Sequence, residues 1–241
     1  MKAFRVMGRS LKATYDELFL LVFLSVLWWI PPLAIGMPAL YVAQRLQGAV
    51  LVVFGIIALA LLVVASTPAT VGINRVANRM ANYQRVDSSF FWSGAKENFG
   101  RGWILFVLTF LAPLGLLFNV WFYSQGQGLL VAVSALWFWV LMLLLMMGQY
   151  FFPLLWQQED PGLMLLLRNA LLLALRHPLY SFFMLIYQVL VLAICAGLAV
   201  PLFLLGPGML AVAGNFGLTG LLQAMDLAPQ PPESYVQKRG K

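Results

Sequence analysis

The side chains able to do chemistry are few in this sequence and widely separated. His177 is the only histidine and Cys195 the only cysteine. No zinc histidine pair and no Gly-Lys-Ser/Thr phosphate loop occurs. His177 stands before Pro178 and reads as a residue that caps helix carbonyls or faces water. Cys195 lies in an apolar run and reads as a small buried side chain. The eight acidic residues are Asp16, Glu17, Asp87, Glu97, Glu159, Asp160, Asp226 and Glu233, and none stands in the middle of an apolar run. Proton-coupled and ion-coupled transporters keep ionisable groups inside the membrane despite the cost. Coupled transport is therefore not expected, and neither catalysis nor a cofactor has the residues it would need. Uncharged polar residues remain. Thr109, Asn119, Ser134, Gln149, Gln188 and Asn215 interrupt apolar runs, where such side chains usually bond neighbouring helices. Gln188 and Asn215 also accompany Pro201, Gly206, Pro207 and Gly214, the setting in which broken helices line a polar path. A second cluster is the i, i+4 row Asn74, Asn78 and Asn82, flanked by Arg75 and Arg79. It offers directional hydrogen bonds to a membrane protein partner, or plain charge to anionic lipid.

The elements that must carry these residues are membrane helices. Of 241 residues, 62% are hydrophobic and 10% charged, against about 45–50% and about 25% in soluble domains. No soluble globule of this size could hide that much apolar surface. A hydrocarbon core of about 30 Å takes about 20 helical residues. Six runs meet or approach that length: 18–35, 49–67, 103–123, 129–152, 179–205 and 209–224. The first is longer than the apolar stretch of a secretion signal and reads as an uncleaved span. The last is the weakest, broken by Gly214, Asn215, Gly217 and Gly220. With the N-terminus in the cytoplasm, 14 of the 15 Lys and Arg lie inside and only Arg45 outside. Both termini are thus expected inside. Trp28, Trp29, Trp121, Phe122 and Tyr123 fall at expected outer ends. The net charge of +7 reads as a device for orientation. Nucleic acid is not expected as a partner, since no basic patch is interleaved with stacking aromatics.

The inner connections carry helix signals of their own. Asp160-Pro161 is a start, leading a helix to about Arg176 whose polar residues share one face. Thr67-Pro68 reads as a second start. A third helix is expected over 88–99, stopped by Gly100 and Gly102. An inner basic helix followed by an apolar hairpin recurs from about Phe4, Phe90 and Leu163. Residues 1–225 form one all-α integral membrane domain with two or three amphipathic helices on the cytoplasmic face. Residues 226–241, with Pro229, Pro231 and Pro232, form a disordered cytoplasmic tail.

Several stretches, in this order, resemble the YesL-like family of bacterial membrane proteins, a domain of unknown function. They are Thr67-Pro68-Ala69-Thr70, Val76-Ala77-Asn78-Arg79, Phe90-Phe91-Trp92-Ser93-Gly94, Lys96-Glu97-Asn98-Phe99, Tyr150 to Leu155, Arg168-Asn169-Ala170 and Arg176-His177-Pro178-Leu179. The resemblance covers roughly residues 4–225. About 30 residues intervene between the first span and the Pro-Ala-Thr element, more than is usual in the family. The resemblance implies a multi-pass protein of the bacterial inner membrane, associated with transport and in particular with carbohydrate ABC uptake. A structural subunit or assembly factor of a larger membrane complex is the alternative.

Overall fold

The structure is a computed structural model and describes residues 2–159 and 162–232. These residues are almost entirely helical, without a strand. Helix α1 is Lys2–Asp16, α2 is Leu18–Ala43 and α3 is Gly48–Ala81. Helices α4 (Ser88–Glu97), α5 (Phe99–Ser124) and α6 (Leu129–Gly148) follow, then the short α7 (Phe151–Gln157). Helices α8 (Leu163–Arg176), α9 (Pro178–Leu198), the one-turn α10 (Val200–Leu204) and α11 (Gly206–Gln223) complete the order. A short amphipathic helix thus precedes each of three hairpins, α2–α3, α5–α6 and α9–α11.

Among the described residues, five helices are long and apolar enough to cross a membrane: Leu18–Ala43, Gly48–Ala81, Phe99–Ser124, Leu129–Gln157 and Pro178–Leu198. The chain is therefore a multi-pass membrane protein. The sixth expected span is α11, and it owes its place to packing. Asn215, Thr219, Gln223 and its glycines make it a poor partner for lipid, yet nearly every residue from Ala211 to Leu221 is buried. Helices α1, α2, α3 and α9 pack around it. Its small residues permit this closeness. A Cβ on Gly208 would stand 2.9 Å from the Ser25 hydroxyl, and one on Gly220 would overlap the Val6 side chain. Close approach over small residues is the usual way membrane helices pack tightly.

Several expectations about boundaries are corrected. Pro68 does not start a helix; it lies inside the continuous 34-residue α3. Membrane helices tolerate such a proline where hydroxyls supply extra bonds. Here Thr67 donates to the Val63 carbonyl at 2.7 Å and Thr70 to the Ser66 carbonyl at 3.0 Å. The third inner helix ends at Glu97, and Gly100 and Gly102 lie within α5 instead of stopping it. Gly102 serves packing, since a Cβ there would collide with Val71 of α3. Two helices widen into a π turn, at Pro32–Gly36 in α2 and Val107–Leu111 in α5. Prolines explain both: Pro31 and Pro32 bring no N–H, and Pro113 leaves the carbonyl of Thr109 without its usual donor. The span expected at 129–152 breaks after Gly148, and that at 179–205 breaks at Ala199, whose φ is +54°. Asp160-Pro161 lies outside the described residues, as do positions 233–241 of the tail; α8 begins after Gly162 and ends at Arg176.

Packing is uneven along the bundle. At the end holding Arg75, Arg79, Gln157 and Gln223, two clusters of buried side chains knit the helices together. Toward the other end no residue in 26–62 or 107–133 is buried. The far halves of the α2–α3 and α5–α6 hairpins therefore share no core.

Candidate functional site

A cavity of about 310 Å³ opens where the packed half gives way to the unpacked half. Helices α2, α3, α5, α9 and α11 all reach it, as do the ends of α6 and α7. Trp28 and Trp29 form part of the wall on α2, so these rings, expected at an outer interface, face inward. The Trp28 indole N–H donates to the Thr70 hydroxyl at 2.8 Å, and that of Trp29 to the Leu202 carbonyl at 3.3 Å. Wall and α3 are thereby fixed to each other. Asn74, one turn beyond Thr70, donates to the Thr70 carbonyl at 2.9 Å. Its own Oδ1 accepts from Asn215 at 3.0 Å, and Asn215 donates also to the Ala211 carbonyl at 2.8 Å.

A second pair of amides lies across the cavity. Gln188 of α9 donates to Gln149 Oε1 at 3.1 Å. Gln149, in the break between α6 and α7, donates to the carbonyls of Met146 and Ser181 at 2.9 and 3.0 Å. Most polar atoms around the cavity are thus already engaged. Thr109 is the exception. It lies in the π turn of α5 and lines the cavity, and its buried hydroxyl has no partner. π turns often mark functional positions, because the extra residue re-aims a side chain. Among the described residues no charged one lines the cavity. The remaining wall is apolar, including Ile73, Phe110, Phe152 and Leu210.

The two residues expected on a polar path are therefore close to one site. Gln188 lines the cavity; Asn215 is fully buried behind it and holds Asn74, which lines it. Gly206, Pro207 and Gly214 line it too. Thr70, which the sequence marks only as the end of Thr67-Pro68-Ala69-Thr70, shares a face of α3 with Asn74 through their i, i+4 spacing.

The Asn row behaves differently from a docking surface. Asn74 and Asn78 are buried, and Asn78 and Asn82 both donate to Gln157 Oε1, at 3.2 and 3.1 Å. The directional bonds expected for a partner are made inside the chain, clasping α3 to α7. The flanking cations are also engaged. Arg75 pairs with Glu97 and sits 4.8 Å from the Trp156 ring centre. Arg79 lies 3.7 Å over the Phe90 ring and donates from Nε to the Arg85 carbonyl at 3.0 Å. Beside them Asp87 caps α4 by accepting from Ser89 N–H at 2.8 Å. Hydrogen bonding from Ser89 holds the Asp87 carboxyl below its ordinary pKa, helped by Arg85 and Arg79. His177 makes no side-chain cap bond, and its Nε2 is buried without a partner.

The chain matches no family model, no curated protein and no solved structure. Its function must be argued from the site. Among the described residues no three of His, Cys, Asp and Glu come together as metal ligands. What the arrangement can do is hold an uncharged molecule against aromatic and aliphatic walls. At about 310 Å³ the cavity is at the small end of ligand sites, which run from about 300 to 1,000 Å³.

Proposed function

We propose that this chain is a transport-associated accessory protein of a bacterial cell membrane, a YesL-like protein that acts by binding and performs no catalysis. Both termini and the charged, packed end of the bundle face the cytoplasm, in keeping with the distribution of Lys and Arg. The observation that carries the reading is the uncharged cavity reached by every membrane-length hairpin. Its wall is apolar apart from mutually bonded amides, the make-up of sites that hold uncharged molecules. Free sugar is a poor occupant. The amides are bonded to each other and to backbone, and a sugar's hydroxyls would be left unpaired, at about 1–3 kcal/mol each. An association with carbohydrate uptake would therefore run through a transporter partner.

The test is affinity purification of the tagged chain in mild detergent, with identification of co-purifying proteins and uptake measured in a deletion strain. Recovery of transporter subunits together with reduced uptake supports the reading. Recovery of the chain alone, with uptake unchanged, defeats it.

One observation favours a second reading, a structural subunit or assembly factor. The far halves of two hairpins present apolar side chains on every side, with Val50, Val52, Ile56, Leu117, Phe118 and Trp139 all more than half exposed. Co-purification of one stable non-transport complex, lost when these positions are changed, would select it.

A further inference from the structure

We infer that the outer face of α8 is a docking surface for anionic phospholipid, with Arg168 and Arg176 on the phosphates and the surrounding leucines among the acyl chains. The inference goes beyond the accessory role and stands without it, since it requires only that the chain crosses a membrane.

Three observations carry it. The first is place. Helix α8 connects the end of one span, α6–α7, to the start of the next, α9, and packs against all three. Its 14 residues measure about 21 Å, too short for a hydrocarbon core of about 30 Å, so it belongs at the membrane boundary. The second is composition. Apart from Arg168, Asn169 and Arg176, α8 consists of Leu, Met and Ala. One face is committed to the bundle, with Leu166, Ala170 and Ala174 buried. The opposite face is apolar as well: Met164 is 81% exposed, Leu165, Leu172 and Leu175 are exposed, and Leu179 follows at the start of α9. A helix that is apolar all round needs an apolar surrounding on every side, and no part of the chain covers this one. The third is charge. Arg168 and Arg176 stand on the same outer face, and at 3.6 residues per turn Leu172 falls midway between them. Within the described residues neither arginine has a hydrogen bond or an ion pair, and α8 carries no Asp or Glu. The cations of α3 are already engaged, Arg75 with Glu97 and Arg79 over Phe90. Two unpaired guanidiniums on an apolar face suit an occupant that is itself apolar and carries phosphate. The long arginine stems can lie along acyl chains while the planar forks reach the phosphate oxygens. A second copy is a poorer occupant, because a two-fold contact over this face would set its arginines against themselves without counter-charge.

The test uses the full chain in phosphatidylcholine nanodiscs. A trace of lipid with a photoactivatable diazirine in its acyl chain is added, either phosphatidylglycerol or phosphatidylcholine. Labelled peptides are mapped by mass spectrometry. Peptides covering 163–179 are expected to be labelled by both probes, and more strongly by phosphatidylglycerol. The double variant Arg168→Gln/Arg176→Gln leaves the leucines in place and should abolish that preference, a change of up to about 25-fold at about 5-fold for each cation near an anionic headgroup. Arg85→Gln/Lys96→Gln removes the same charge from exposed positions elsewhere and should keep the preference. Should the first double variant not fold, Leu172→Glu decides: it sets one carboxylate at i, i+4 spacing from both arginines and should also abolish the preference. Equal labelling of 163–179 by the two probes in the unmodified protein overturns the inference. So does an equal loss in both double variants, which would reduce the effect to general surface charge. Absence of labelling by either probe overturns it too, since a protein partner or a second copy would then cover the face.

Discussion

Replacing Gly220 by alanine puts the packing of α1 against α11 to a direct test. A helix-interior Gly→Ala change is ordinarily favourable, by roughly 0.5–1 kcal/mol, because alanine loses less backbone entropy on folding. Here the new methyl would overlap Val6 Cγ2, lie 3.3 Å from Val6 Cγ1 and stand 3.1 Å from the Tyr180 hydroxyl. That hydroxyl is tied to the Gly217 carbonyl at 2.8 Å, so it cannot retreat without breaking a bond. Overpacking of this kind costs about 1–3 kcal/mol. Set against the propensity gain, Gly220→Ala should destabilise by about 1–2 kcal/mol. For a chain of this length that lowers the midpoint of thermal unfolding by roughly 2–8 °C, at about 2–4 °C per kcal/mol. In a Val6→Ala background the main obstruction is gone and the same change should be neutral or stabilising. The assay is thermal unfolding of the four proteins in one detergent, read as a double-mutant cycle with an expected coupling of about 1–3 kcal/mol. An increase in midpoint for Gly220→Ala alone, or an identical effect in both backgrounds, refutes the close contact of α1 with α11.

Three further outcomes follow from the geometry. Gln157→Leu leaves the amides of Asn78 and Asn82 without their shared acceptor and should cost about 1–3 kcal/mol, measured as the same thermal midpoint; no change would show the clasp to be idle. The lowered pKa of Asp87 means that its cap is fully formed above the carboxyl's ordinary pKa and is lost as pH falls through the folded-state value. Hydrogen exchange at Ser89 should accelerate over that acid window and lose its pH step in Asp87→Asn, whose amide oxygen still accepts the bond; an unchanged step in that variant would assign the titration elsewhere. Reporter fusions after Gln127 should read outside and those after Glu159 inside; the reverse pattern overturns the orientation.

Much of the architecture was legible because lipid imposes a simple rule. Long apolar runs announce membrane helices, and five of the six expected runs coincide with helices of spanning length. The rule is weakest for a helix that does not face lipid. In α11, Asn215 and the glycines counted against a span, yet they are what burial at the centre of a bundle requires. Local signals failed for a related reason. Pro68 suggests a start when only neighbouring residues are weighed, but the hydroxyls of Thr67 and Thr70 and the surrounding helices carry α3 through it. Gly100 and Gly102 look like a stop until Val71 is seen against the latter. Gln188 and Asn215 were legible as polar residues near helix-breaking ones. That Asn215 faces Asn74, and that the Asn row meets Gln157, depends on contacts 75 to 141 residues apart along the chain, which no spacing encodes.

The burial of α11 also bears on how the molecule is made. The five spanning helices can each leave the insertion machinery and settle in lipid on their own apolarity. Helix α11 gains little from lipid, and its site is built by α1, α2, α3 and α9, all of them synthesised before it. The centre of the protein is therefore completed only when residues 206–223 emerge and dock. Until that moment the small-residue seams of the nascent bundle, including the Val6 face of α1, stand open to proteases and to misplaced neighbours. A ribosome stalled before Gly206 would leave a chain with its apolar spans in place and without the helix that closes its core.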